Sequence, residues 1–431
     1  MRAERISGEA QGDLPQSGTR SAYQRDRDRI LYSDYFRRLA GVTQVASAVD
    51  SGVFHNRLLH SLKVAQVGRR LAERLLQDHP DLEGEVEPDV VEAACLAHDL
   101  GHPPFGHVAD HKLCALAEEM GLPDGFEGNA QTFRILSRLA IHSGIAQGVD
   151  LTRATLAATL KYPWRRARPS DEPYVDYRRK KYSVYDDDVG AFEFARLPLI
   201  STEKSIEAQI MDIADSITYS VHDLEDFFRA GLIPIEKIAR NEEYRGVFLE
   251  RWKIDKPENQ AQKHFQDVKS FKPVKALLNI CIVDDDDPGS HAELRTLEVF
   301  RSTAITRFLK GVTFESSSRE LQMETSLEHQ TKFLQRLVWD YVILNPKLAT
   351  QQAGQVRIVE CLVRFFHEAI VAEKLDRLPM RFQSAASACP APEAKARFAI
   401  DIVASLSEAE AIRLFKRITG LDTGSLLDPA R

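Results

Sequence analysis

Three of the chain's 13 histidines fall within ten residues, in Ala97-His98-Asp99-Leu100-Gly101-His102-Pro103-Pro104-Phe105-Gly106-His107. Imidazoles and a carboxylate this close are material for a divalent-metal site or for proton transfer. In mid-helix His98 and Asp99 would project about 100° apart and could not easily share one ion. At a helix end unwinding into Gly101 they can, and the prolines that follow hold the turn rigid at an element terminus. A metal needs more than two ligands. His60, in Arg57-Leu58-Leu59-His60-Ser61-Leu62, and Asp215, in Gln209-Ile210-Met211-Asp212-Ile213-Ala214-Asp215, would complete a set of two imidazoles and two carboxylates. Such a mixed N/O set suits Mn²⁺, Mg²⁺, Fe²⁺ or Zn²⁺. Read from the residues alone, His60 also suits a satisfied core histidine, Asp215 a solvent-facing aspartate, and the 98–107 histidines the negative end of a helix dipole.

The elements that must carry these residues read as helices. Ile210, Ile213, Ala214, Ile217, Val221, Leu224 and Phe228 form an apolar stripe at 3.6-residue spacing. Ser201 and Thr202 precede it, Glu203 falls in its expected first turn, and Gly231 with Pro234 closes it. Further helices are expected over Ile30–Ala40, stopping at Gly41, and over Arg57–Leu76. Another should start with Pro88 as its first residue and run to Leu100, with Gly101 as terminator. Ser290-x-x-Glu293 and Ser407-x-x-Glu410 read as capping boxes ahead of periodic apolar runs. Alternating strands with hairpin signals are missing, so the fold class is all-α, an α-helical core with an additional C-terminal helical region. Residues 1–20 read as a flexible leader, 21–240 as the catalytic core and 241–431 as the C-terminal region. The boundary falls between Leu232 and Lys275, where Trp252–Lys272 turns polar and lysine-rich; the Asp284–Asp287 run reads as a solvated loop.

With 431 residues the chain exceeds one ordinary core, since single cores stop growing near ~250–300 residues. Hydrophobic residues at 43% and charged residues at 28% exclude a disordered, collagenous or disulfide-scaffold protein. A net charge of −7 argues against wholesale coating of nucleic acid. Five scattered cysteines without CxxC spacing read as reduced thiols. No secretory signal or ~20-residue apolar span is visible, so the expected location is cytoplasmic, with no membrane partner.

His60, the His98-Asp99 doublet and Asp215 match, in order and context, the H…HD…D signature of the HD-domain metal-dependent phosphohydrolases. The chain most resembles their deoxyguanosine triphosphate triphosphohydrolase-like branch. Gln24–Ile30, Phe36–Gly41, Thr43-Gln44-Val45, His98–His107, Glu127–Gln131, Leu160–Trp164 and Ala214–Asp226 are similar to blocks of that branch. The likeness is strong over Tyr23–Gly231 and beyond that lies only in helical character.

The resemblance implies one divalent ion, Mn²⁺ or Mg²⁺ first and Fe²⁺ or Zn²⁺ as alternatives, bound by His60, His98, Asp99 and Asp215. It implies an acid/base dyad of His107 and Asp110, which share a helical face at i and i+3. Gln44 and Asp223 would hold the sugar 3′-oxygen, and Tyr219 would close the space a 2′-hydroxyl needs. Arg57 and Lys161 match triphosphate-binding positions, and His102 could donate to a phosphate oxygen. Many members carry a histidine where this chain has Gly128, which leaves His107–Asp110 to serve alone. The implied reaction is dNTP plus water giving deoxynucleoside and tripolyphosphate, in a homo-oligomer (tetramer or hexamer).

Two other readings compete. One is another HD phosphohydrolase, acting on nucleoside monophosphates or cyclic nucleotides. The other is a regulatory protein with a structural metal that binds single-stranded DNA through Trp164–Tyr185, where seven Arg and Lys residues interleave with tyrosines. That stretch also suits a basic loop balanced by Asp186–Asp188.

Overall fold

Helical periodicity is realised along the chain in a computed structural model that describes residues 1–8, 19–44, 55–142, 148–168, 175–197, 203–244, 246–247, 278–279 and 291–422. Among the described residues there are eighteen helices and one hairpin. The first six are α1 (Ala22–Leu31), α2 (Asp34–Arg38), α3 (Arg57–Asp78), α4 (Pro88–Ala97), α5 (His107–Glu119) and α6 (Gly128–Arg134). Then come α7 (Arg153–Ala158), α8 (Asp176–Lys180), α9 (Val189–Arg196), α10 (Ile206–Thr218), α11 (Leu224–Arg229) and α12 (Ile235–Arg240). The C-terminal half holds α13 (His291–Lys310), α14 (Thr325–Val338), α15 (Pro346–Val371), α16 (Met380–Ser387), α17 (Pro392–Ala404) and α18 (Glu408–Ile418). Strands Val312–Glu315 and Glu320–Met323 pair antiparallel between α13 and α14, with Val312 opposite Met323.

The expected helix at 57 forms, running on to Asp78, and that at 88 has Pro88 in its first turn but ends at Ala97, three residues short of the expected Leu100. The Ser407 capping box is present in both directions, Ser407 to Glu410 and back. Ser290 of the other expected box lies outside the described residues, as do the Trp252–Lys272 and Asp284–Asp287 stretches. Two helix starts differ from expectation. The Ile30–Ala40 segment is broken, because the Ser33 side chain accepts from Phe36 N and begins α2 afresh. The apolar-stripe helix begins at Ile206, capped by the Ser205 hydroxyl, so Glu203 precedes it; Ser201 and Thr202 lie outside the described residues. It then continues through a wide π-turn over Tyr219–Asp223 into α11 and ends near Gly231 (φ +69).

Helices α3, α4 and α10 pack on one another, and α1 lies against α4. Their apolar faces join the first of two large buried clusters, which runs from Ile30 to Val342 and takes in α13 and α14. The second joins α5 to the C-terminal helices, from Phe105 through Val359 and Phe366 to Ala411. The apolar clusters therefore run across residue 240, where the sequence suggests a boundary. Residues 1–8, part of the expected loose leader, are anchored: Arg5 pairs with buried Asp26 at 2.8 Å, and Arg2 pairs with Glu207.

Candidate active site

His98 caps the C-terminus of α4, and the chain then turns sharply, with Leu100 N on Ala97 O and His102 N on Asp99 O. This turn is backed by the start of α6. Gly101 N donates to Thr132 Oγ1 at 2.9 Å, and that hydroxyl donates to His98 O at 3.1 Å. A Cβ on Gly101 would lie 2.7 Å from Gln131 C and closer still to Gly128 O and Thr132 N, so only glycine fits. The turn exits through Phe105 (φ +70) and Gly106 (φ +60) into α5. A bulky residue held left-handed stores backbone strain of the kind found at functional sites.

His60 on α3, His98 and Asp215 on α10 each bring one ligand atom to within 4.8 Å of the others. His60 Nε2 lies 3.1 Å and His98 Nε2 3.5 Å from Asp215 Oδ1. His98 Nδ1 is 2.7 Å from Cys95 O, an acceptor only, so Nδ1 holds a proton and Nε2 is the nitrogen turned toward Asp215 and Asp99. That buried Nε2 has no hydrogen-bond partner among the described residues. Asp99 stands beside the trio, with Oδ1 at 3.5 Å from His98 Nε2 and 3.0 Å from His102 Nδ1, while Oδ2 accepts from Arg57 at 2.6 Å. Two imidazole nitrogens, a carboxylate and an adjacent second carboxylate fit a divalent ion by donor chemistry.

Both carboxylates are ionised despite burial. Burial works to raise Asp215, but Lys161 at 2.8 Å, with His98 and His60, outweighs it and holds the group well below the usual range. Burial likewise opposes ionisation of Asp99 and is outweighed by Arg57, His98 and His102. His60 is lowered, burial overriding Asp215, which keeps it neutral as a ligand must be. Asp223 goes the other way: burial, reinforced by Asp226 and Asp215, raises it well above the ordinary value.

A cavity of about 250 Å³ opens over this group. Gln44, Arg57, His98, Asp99, His102, His107, Lys161, Asp215 and Tyr219 all line it. His60, Asp110 and Asp223 are not among its lining residues. Asp110 accepts from His107 Nδ1 at 3.3 Å, and the His107 ring lies 5.8 Å from that of His102. Asp223 is 3% exposed, and its Oδ2 has no partner among the described residues. The wide turn beginning at Tyr219 shifts the helix register below Asp215, and such bulges concentrate at functional sites.

Sequence reasoning missed part of the wall. Asn129 and Tyr162 lie in blocks quoted for the resemblance but carry no role there, and Lys181 is one of the cations in the Trp164–Tyr185 stretch. Gln352 and Gln355, at i and i+3 on α15, and Glu408 come from the C-terminal half, where nothing but helical period was visible. In the basic stretch, Arg165 and Arg168 pair with Asp186, Arg166 with Glu118 and Lys181 with Glu127. Tyr182 and Tyr185 are buried together.

Residues 57–220 match the family model described as HD domain, and residues 321–417 the one described as phosphohydrolase-associated domain. The chain is 36% identical to a deoxyguanosinetriphosphate triphosphohydrolase-like protein of Streptomyces coelicolor, over 93% of each chain. It is 30% identical to a deoxyguanosinetriphosphate triphosphohydrolase-like protein 2 of Mesorhizobium japonicum, over 95% of each. A similarly named Bifidobacterium longum protein is 45% identical over 50% of this chain and 44% of its own length. Among the described residues no helix is long and apolar enough to cross a membrane.

Proposed function

Because the chain belongs to the deoxyguanosinetriphosphate triphosphohydrolase-like family of HD-domain proteins, we propose that it hydrolyses deoxynucleoside triphosphates to deoxynucleoside and inorganic tripolyphosphate. At the coarser level it is a phosphohydrolase. The observation that carries the finer reading is the meeting, in one cavity, of the His98–Asp99–Asp215 group with Gln44, Arg57, Lys161 and Tyr219.

His60, His98, Asp99 and Asp215 would hold the divalent ion, Mn²⁺ or Mg²⁺. When bound, the ion supplies Lewis acidity toward a phosphate oxygen and makes a nearby water more acidic. The remaining work falls to the chain. Arg57 and Lys161 sit on Asp99 and Asp215 as cations, and both line the cavity, so they can neutralise a triphosphate bearing about four charges. His102 donates to a phosphate oxygen. His107, oriented by Asp110, delivers a proton to the departing 5′-oxygen, an alkoxide otherwise; such a transfer contributes roughly 10²–10⁴-fold. Gln44, whose buried Oε1 has no partner among the described residues, and Asp223 hold the 3′-oxygen, and Tyr219 closes the space beside C2′.

The test supplies each dNTP, and GTP, with Mn²⁺ or Mg²⁺ in ¹⁸O-water and resolves the products by ion exchange. Tripolyphosphate carrying the label, with none in the deoxynucleoside, is the expected result. Release of dNMP with pyrophosphate, or label in the nucleoside, would refute it.

A further inference from the structure

Two side chains, half-buried Arg38 and buried Glu408, tie the turn bearing His98, Asp99 and His102 to the far end of the chain. Arg38, the last residue of α2, donates from Nη2 to Leu100 O at 2.7 Å and His102 O at 2.8 Å. From Nη1 it donates to Ala404 O at 3.0 Å and Leu406 O at 3.1 Å, at the end of α17. One planar guanidinium thus spans the carbonyls on either side of Gly101 and two carbonyls at and just beyond the C-terminus of α17. On the other flank Glu408, the first residue of α18, accepts at Oε1 from Thr43 N (2.9 Å) and Phe105 N (3.3 Å). Thr43 adjoins Gln44, and Phe105 is the strained residue that closes the metal turn. A Cβ on Gly41 would lie 2.9 Å from Ser407 Cβ, so the two segments meet at the limit of approach. Further buried ties repeat the pattern: Asp401 accepts from Gln131 and Arg134, and Arg397 donates to Gly125 O.

We propose that the C-terminal helices α17 and α18 are a positioning element of the active site, acting through Arg38 and Glu408 on the backbone of residues 99–105 and 43–44. Both are positioning residues. Glu408 lines the cavity, but its Oε1 is committed to two main-chain amides. Arg38 reaches only carbonyls. Without these contacts the turn keeps its sequence but not its fixed geometry, and an active-site geometry loosened by ~1 Å is costly to catalysis. The catalytic part of this inference rests on the function proposed above; the structural part does not.

The full-length, metal-free chain is compared as wild type, Glu408→Ala, Glu408→Gln and Arg38→Lys by hydrogen exchange of peptides covering 99–108. Mn²⁺ titration calorimetry and kcat and KM for dGTP follow, all at a temperature where circular dichroism shows native helix. Glu408→Ala should exchange about tenfold faster in this turn, the order expected for losing charge-assisted hydrogen bonds. Its Mn²⁺ affinity and kcat should fall by a similar factor with KM little changed. Glu408→Gln keeps an acceptor oxygen and should restore most of all three. Arg38→Lys keeps the charge but cannot span four carbonyls, so it should behave as Glu408→Ala and serves if that variant does not fold. Unchanged exchange and Mn²⁺ affinity in Glu408→Ala and Arg38→Lys, with only the melting point lowered, would overturn the proposal. So would a Glu408→Gln variant as impaired as Glu408→Ala, since the carboxylate would then act on the ligand directly. A wild type that binds Mn²⁺ but hydrolyses no dNTP would count against the proposed function alone, leaving the exchange and affinity results to decide this one.

Discussion

His222 offers a quantitative check on the electrostatics beneath the cavity. It sits in the π-turn beside Asp223, 5% exposed, with Nδ1 at 3.2 Å from Lys63 Nζ and 3.8 Å from Glu225 Oε2. The His55 ring is edge-on at 6.2 Å, Asp226 pairs with His55, and Arg301 holds Glu225 at 3.0 Å. Burial, opposed by Glu225 and reinforced by Lys63 and His55, pulls the imidazole from 6.5 down to about 4. Between those values the unfolded chain takes up the proton and the folded chain does not. Stability from this group is therefore complete above pH 6.5 and is lost as pH falls toward 4. Each unit is worth 1.36 kcal/mol, so the full loss is about 3 kcal/mol, of which about 2 kcal/mol falls between pH 7 and pH 5. Urea unfolding at both pH values should show wild type losing about 2 kcal/mol more than His222→Gln, which cannot titrate. Equal losses in the two proteins, or a His222 NMR resonance titrating near 6.5 in the native state, would refute the reasoning.

Four further outcomes are expected. His98→Ala and Asp99→Ala should each abolish turnover and lower bound metal by elemental analysis; full metal occupancy in both would put the ion elsewhere. His107→Ala should bind dNTP and Mn²⁺ nearly as wild type while kcat falls roughly 10²–10⁴-fold, which single-turnover kinetics can isolate. Tyr219→Ala should narrow the preference for dGTP over GTP more than it lowers the dGTP rate; equal use of both by the wild type would sink this role. Gly101→Ala should cost at least the ~1–3 kcal/mol of ordinary overpacking, seen as a lowered unfolding midpoint, because the obstruction is backbone and not a movable side chain.

Much of the site was legible because its chemistry is local in the chain. The His98-Asp99 doublet, the glycine after it and the Pro-Pro turn announce a helix end, and α4 does end there. The helix carrying Asp215 was readable because its apolar stripe, Ile210 to Phe228, keeps a 3.6-residue period. The start of the stripe helix was misplaced because several serines and threonines compete as caps, and only tertiary packing selects Ser205. The Ser33 break was missed for the same reason, an apolar run continuing across a cap that the hydroxyl takes up. What could not be read at all is contact between distant segments. Glu408 reads as the first turn of a capped helix, and nothing in its neighbours says that its carboxylate meets amides more than three hundred residues away. Arg38 is a basic residue in an arginine pair until its four carbonyls are seen.

Lys161 bears on how the buried acids of the candidate site are neutralised within the fold. Its ammonium already rests on Asp215 at 2.8 Å and Asp212 at 3.1 Å, and Arg57 rests on Asp99. No buried acid of the ligand group is left facing only other acids. Many small metalloproteins collapse when stripped, because their ligands repel or lie unsatisfied without the metal. Here Lys161 and Arg57 supply that neutralising charge from within the chain. Asp99 and Asp215 thus meet their counter-charges within the folded chain itself, each on a cation carried by a different helix or loop.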